Sequence, residues 1–160
     1  MMEPCWLRVA RGDLGLTEIA GKNDAPFLRR WQSQLGVPWL GPAPWCGVAV
    51  AHWLRECDVA VPRAFYRARA WLDWGHVQPV PAVGSVVVFE RTGGGHVGFV
   101  VGRTAANRLA VLGGNQKDQV SIASFPRERV LGYRWPNEAI GSISYDALPV
   151  VNVAASGGEA

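Results

Sequence analysis

The hydrophobic pattern of this chain changes period once, and that change limits the folds open to it. Up to about residue 75 the apolar residues recur at helical spacing; beyond Pro81 they run in short strand-like blocks. Trp6, Val9, Ala10 and Leu14 share a helical stripe that Gly15 can end. Asn23-Asp24-Ala25-Pro26 offers a cap with proline close behind, ahead of Phe27, Leu28, Trp31 and Leu35. A rigid, three-proline loop over residues 36–44 leads into a third helix over 45–57, and a fourth short helix is expected over 66–74, ending at Gly75. Past Pro81, residues 85–89, 96–101, 108–112, 120–123 and 130–135 read as strands with tight connections, with Gly93-Gly94-Gly95 as one turn. Helices first and a meandering antiparallel sheet afterwards make an α+β domain.

Composition narrows the function classes. A chain of 160 residues, 49% hydrophobic and 18% charged, is globular and long enough for one core. No stretch approaches the roughly 18 uninterrupted apolar residues of a membrane span, so no integral membrane segment is expected. The net charge of +3 comes from scattered basic residues without a basic-aromatic ladder, which argues against nucleic acid as a partner. The first residues, MMEPCWLRVARGD, lack a basic segment followed by an apolar one, so no secretory signal is visible. A chain made in the cytoplasm without a signal is expected to keep its three Cys as reduced thiols rather than as a disulfide framework. The pattern fades from Asn137 onward. The expected division is therefore a domain over 1–136 and a partly disordered extension over 137–160.

The chemistry narrows to a few side chains. Cys46 falls in the first turn of the third helix, where the helix dipole favours a thiolate; the plainer reading is a small buried hydrophobe. Cys57 lies eleven residues on, on about the same stripe but about 16 Å further along, so it reads as core. Cys5, near the terminus, has no argument for chemistry. His52 sits about 240° around the helix from Cys46 and points away from it. His76 follows Gly75 in a loop where nothing converges. His96 opens an apolar strand and shares a face with Gly98, which leaves space beside the imidazole. A lone strand histidine is usually structural, but a thiolate beside it reverses that reading. A Cys–His pair also needs a group that orients the imidazole. Asn115, in Leu112-Gly113-Gly114-Asn115-Gln116, is the candidate, although Gly-Gly-Asn is equally a turn. No metal-ligand spacing is present, the loop before Cys46 holds no carboxylate for calcium, and the three glycines precede a strand rather than a helix that could cradle phosphate. No metal or other cofactor is expected.

The order of Cys at a helix start, His on the second strand and Asn after the next is papain-like. Pro44-Trp45-Cys46-Gly47-Val48-Ala49-Val50, Ala68-Arg69-Ala70-Trp71-Leu72, Gly84-Ser85-Val86-Val87-Val88-Phe89, Gly95-His96-Val97-Gly98-Phe99, Leu112-Gly113-Gly114-Asn115-Gln116 and Gly132-Tyr133-Arg134-Trp135-Pro136 follow one another. Together, over roughly residues 6 to 136, they resemble the CHAP/NlpC-type cysteine amidohydrolase/peptidase family, particularly the small single-domain members of phage endolysins and prophage cell-wall hydrolases. The resemblance implies a peptidoglycan hydrolase cutting the muramoyl–L-alanine bond or a bond of the stem peptide or cross-bridge. It makes Cys46 the nucleophile, His96 the general base and Asn115 the residue orienting the histidine. A monomer is expected, and without a visible signal the chain would need a holin pore or a secretion apparatus to reach a wall that lies outside the cell. Trp45 and Trp71 are candidates to line the cleft and meet sugar or peptide, against core packing for most of the tryptophans. Gly95, with Gly94, would let a bulky polymer approach His96. Two departures stand out: Ser85 where the family more often has Asp, and Gly47 where Ala or Ser is common, which would loosen the helix start.

Two other readings share these residues. A catalytically inactive wall-binding module would pellet with wall without producing new amines, and a cysteine acyltransferase would transfer the acyl group instead of hydrolysing it.

Overall fold

A computed structural model describes residues 3–18 and 25–153. Three α-helices come first: α1 (Cys5–Arg11), α2 (Pro26–Gln34) and α3 (Cys46–Arg55). Six strands follow: β1 (His76–Gln78), β2 (Val86–Arg91), β3 (Gly94–Arg103), β4 (Leu109–Gly113), β5 (Ser121–Phe125) and β6 (Val130–Trp135). They form one sheet in the order β1-β6-β2-β3-β4-β5, and every pairing is antiparallel. The α+β expectation therefore holds.

Local chemistry explains the elements. α2 starts on Pro26, whose fixed φ suits a first helical turn; the cap read at Asn23 and Asp24 lies outside the described residues. α3 is buried from Cys46 through Leu54, as expected of a helix apolar on every side. It packs on β3, with α1 and α2 against its other sides. The main core joins Leu7, Leu28, Trp31, Val48, Trp53 and Trp71 to Val88, Val97 and Phe99. The opposite face of the sheet carries a second cluster of Val87, Phe89, Val100, Leu109, Val111 and Phe125. With both faces covered, β3 is a continuous apolar run rather than an alternating one.

Four expectations need correction. The segment read as a fourth α-helix is a 3-10 helix, Ala68–Asp73. β1 was not expected; it is three residues long and pairs His76 with Trp135 and Gln78 with Tyr133. Residues 137–153 do not fray. Arg103 donates to the Pro149 carbonyl at 2.9 Å and accepts from the Val151 N–H at 2.7 Å, and Ile143, Leu148, Val151 and Val153 pack on the core. Residues 154–160 lie outside the described part.

The fourth correction concerns sulfur. Cys5 and Cys57 form a disulfide, with Cα atoms 6.1 Å apart. The stripe argument for Cys57 fails because α3 ends at Arg55. The chain tightens into a turn in which the Cys57 N–H donates to the Leu54 carbonyl at 2.9 Å, and this sets Cys57 beside the start of α1, which packs against α3. The bridge spans 52 residues of sequence, a loop whose closure entropy corresponds to about 4 kcal/mol of stabilisation.

Candidate active site

Cys46 is the first residue of α3, and no side chain caps that end of the helix. The first-turn N–H groups of an α-helix have no partner within it, so the thiol sits at a cluster of backbone donors. It is the free cysteine of the described chain and is buried. Burial pushes its pKa up, and this is the largest single influence. His96, through its charge and a hydrogen bond, the Val97 N–H and the nearby Arg91 charge together outweigh burial, so the thiol ends below its ordinary value.

His96, on β3, is fully buried. Its ring lies flat against Phe125, with centroids 5.2 Å apart, and Phe89 stacks beyond at 6.4 Å. Its Nε2 is 3.0 Å from Gln116 Oε1. The orientation of that amide is settled by its other end: Gln116 Nε2 donates to the Ser121 carbonyl at 2.8 Å, the Ser121 hydroxyl at 3.2 Å and the Val111 carbonyl at 3.3 Å. Oε1 is therefore the acceptor facing the histidine, and His96 must carry a proton on Nε2. The nitrogen left for the thiol is Nδ1.

The orienting residue is thus Gln116, one position beyond the Asn115 that the sequence order suggests. Asn115 is fully buried, but neither its Oδ1 nor its Nδ2 has a hydrogen-bond partner among the described residues. With φ of +58°, it turns the chain so that the next side chain reaches the imidazole. Gly113 makes room for this contact: a Cβ there would run into the Gln116 amide and stand 3.5 Å from His96 Nε2.

One segment walls both catalytic candidates. A Cβ on Gly47 would strike the Phe65 carbonyl and lie 3.2 Å from the Tyr66 backbone, and a Cβ on Gly95 would lie 3.3 Å from Arg69 and 3.4 Å from Ala68. Glycine at 47 therefore permits a close approach, where a looser helix start was expected. Glycine at 95 seats the wall: the space a side chain would take there is filled by the Phe89 carbonyl, Arg69 and Ala68. The segment is pinned by Arg69 Nε on the Gly94 carbonyl at 3.0 Å, Trp71 Nε1 on the Phe65 carbonyl at 2.9 Å, and Arg134 on the Leu72 carbonyl at 2.9 Å.

The remaining candidates separate by burial. Trp71 is fully buried and Trp45 nearly so. Trp45 packs over Gly114 and edge-on to Phe27, so both tryptophans are core and neither faces a cleft. The space expected beside Gly98 is filled by Val111 and the Leu112 carbonyl of β4. Ser85 replaces the expected acid in its local role: its hydroxyl accepts from the Ala82 N–H and donates to Gln78, both at 2.8 Å. His52 stacks on Trp31 at 4.3 Å, away from the site. His76, in β1, pairs with Trp135 of β6.

Chemically, the arrangement is a thiol acidified by a nearby imidazole whose Nε2 is held by a neutral amide. Compared with protein-family models, curated proteins and solved structures, the chain matches none.

Proposed function

We propose that this chain is a cysteine-dependent amide hydrolase of papain-like design, acting on bacterial peptidoglycan as an amidase or endopeptidase. The observation that carries the reading is the Cys46–His96–Gln116 relay, with the imidazole tautomer set by the Gln116 amide. The residue motifs resembling CHAP/NlpC-type hydrolases supply the substrate class.

In this mechanism Cys46 passes its proton to His96 Nδ1, and the thiolate attacks the carbonyl carbon of the scissile amide. The oxyanion collects on backbone N–H groups at the uncapped start of α3. His96 Nδ1–H then protonates the leaving amine, which breaks the C–N bond and leaves a thioester. A water, deprotonated by Nδ1, releases the acid and restores the thiol. Through both steps Gln116 Oε1 holds the Nε2 proton and keeps the ring in place. At 3% exposure of Cys46, substrate entry requires the wall over Gly47 to shift. The Cys5–Cys57 disulfide fits an oxidising compartment, in keeping with a substrate outside the cytoplasm. Delivery through a holin pore or secretion apparatus and action as a monomer belong to the same proposal.

The test is digestion of purified peptidoglycan followed by mass spectrometry of the fragments. The protein should release new amine termini, and Cys46→Ala should release none while melting like the parent. A new muramic-acid lactyl terminus names an amidase; a new stem-peptide terminus names an endopeptidase. Equal digestion by Cys46→Ala would sink the proposal.

A further inference from the structure

We infer that Asn115 holds a buried water molecule beside the Cys46 centre, and that this water hydrolyses the acyl-enzyme. The hydrolytic role rests on the hydrolase reading above and makes Asn115 a positioning residue for its second half. Asn115 is fully buried, and neither its Oδ1 nor its Nδ2 has a hydrogen-bond partner among the described residues. Buried amides are ordinarily paired, because an unpaired one loses its hydration and gains no bond in exchange. The turn alone does not account for this side chain. Glycine meets a φ of +58° without burying any polar atom.

Trp45, its neighbour in space, shares the feature. The indole lies over Gly114, the residue before Asn115, and its Nε1 is also buried without a partner among the described residues. Other buried tryptophans differ. Trp6 donates its indole N–H to the Gly84 carbonyl at 2.8 Å, Trp53 to Asp13 at 2.9 Å, and Trp135 to the Ala139 carbonyl at 2.8 Å. Two side chains with open polar atoms therefore meet at one glycine, as is usual around internal water.

The position suits the reaction. The register that sets Phe99 opposite Leu112 would set Val97 opposite Gly114, but β4 ends at Gly113. The first turn of α3 fills the gap. A Cβ on Gly114 would stand 2.7 Å from both the Ala49 Cβ and the Trp45 ring, and the Val97 N–H acts on the Cys46 sulfur. On the other side of Asn115, Gln116 holds His96. Asn115 is thus bracketed by one residue against the nucleophile's helix turn and by another on the base.

Burial decides the occupant. Asn115 is 0% and Trp45 1% exposed, too enclosed for a segment of polymer, whereas one water needs only about two to four polar partners. The amide offers that water a donor and an acceptor, which leaves an O–H for His96. Once the thioester has formed, the water oxygen attacks its carbonyl carbon and gives a proton to His96 Nδ1. The C–S bond breaks with its electron pair on sulfur, the acid leaves, and the proton returns to Cys46.

The experiment digests purified peptidoglycan in the presence of hydroxylamine and reads the ratio of hydroxamate to free acid in the fragments by mass spectrometry. Without its positioned water the thioester persists, so Asn115→Gly, which keeps the turn, should raise that ratio about tenfold over the parent. Acyl-enzyme should also accumulate, seen as added mass on Cys46. A merely structural role would slow hydrolysis and trapping alike; a ratio left at the parent's value in a protein that cuts peptidoglycan overturns the inference and leaves the hydrolase reading standing. A crystal structure of the full chain carrying Cys46→Ala should show an ordered water within hydrogen-bond distance of the Asn115 amide. A dry site, or a protein atom bonded to that amide, overturns the inference even where Asn115→Gly does not fold. Failure of the parent to release new amine termini removes the hydrolytic role together with the function it rests on.

Discussion

At the N-terminal end of α3, Cys46 is a free thiol acidified by His96; two residues past the C-terminal end, Cys57 is bonded to Cys5. Both sulfurs are carried by one short stretch of chain, Cys46 buried and Cys57 partly buried. What separates them is the company each end of the helix keeps. The N-terminal end offers unpaired backbone donors and an imidazole, which favour a charged sulfur. The C-terminal end offers carbonyls, already taken up by the N–H groups of Glu56, Cys57, Asp58 and Val59, which give a thiolate nothing, and it lies beside the first residue of α1. The same element therefore supplies chemistry at one end and covalent stability at the other.

This division can be broken from either side. The largest effect is expected from Cys5→Ser with Cys57→Ser: stability should fall by about 4 kcal/mol, since the denatured chain regains its loop entropy. Turnover measured well below the melting temperature should be unchanged. Denaturant titration with and without reductant checks this, and a variant that keeps full stability would show that the bridge does not constrain the chain. At the other end, Gln116→Ala should lower kcat by about 100-fold, or about 3 kcal/mol, and should also cost about 1–3 kcal/mol of stability, because buried partners at Ser121 and Val111 lose their amide. Asn115→Gly, which keeps the left-handed turn, should cost clearly less activity, since the Asn115 side chain makes no hydrogen bond to the histidine. The reverse ranking would return the orienting role to Asn115. A smaller effect is expected at the wall between the two ends. Gly47→Ala must push back the Phe65 carbonyl and should destabilise by about 1–3 kcal/mol. A melting curve identical to the parent's would mean that the wall yields freely.

Much of this was readable from the residues, and the misses have physical causes. The change from helical to strand periodicity marked the sheet, since β2, β3, β4 and β6 are apolar runs bounded by turn residues. The place of Cys46 followed from proline and tryptophan ahead of an apolar helix. The disulfide was not readable, because it depends on where α3 stops and on how α1 packs beside it, and a stripe extended past Arg55 points elsewhere. Gln116 was missed for a similar reason. Adjacent residues in a left-handed turn point in different directions, and only the positive φ at Asn115 shows which amide reaches His96. β1 is too short to carry a pattern. The 137–153 segment docks through backbone bonds at Arg103, which leave no mark on its composition.

The comparison rests on Cys46 being an acidified thiol while Cys5 and Cys57 do not titrate. Ultraviolet absorbance of the thiolate, followed against pH in the parent, His96→Ala and Cys46→Ala, measures this directly. The parent should show one ionisation, lost in Cys46→Ala, with its midpoint below the ordinary cysteine range of about 8–9. Peptidoglycan cleavage should rise with pH through that same midpoint, because the thiolate is the attacking form. His96→Ala should move the midpoint upward, since burial then acts with its main opponent removed. A parent midpoint within or above the ordinary range, or one that His96→Ala leaves in place, would contradict the account.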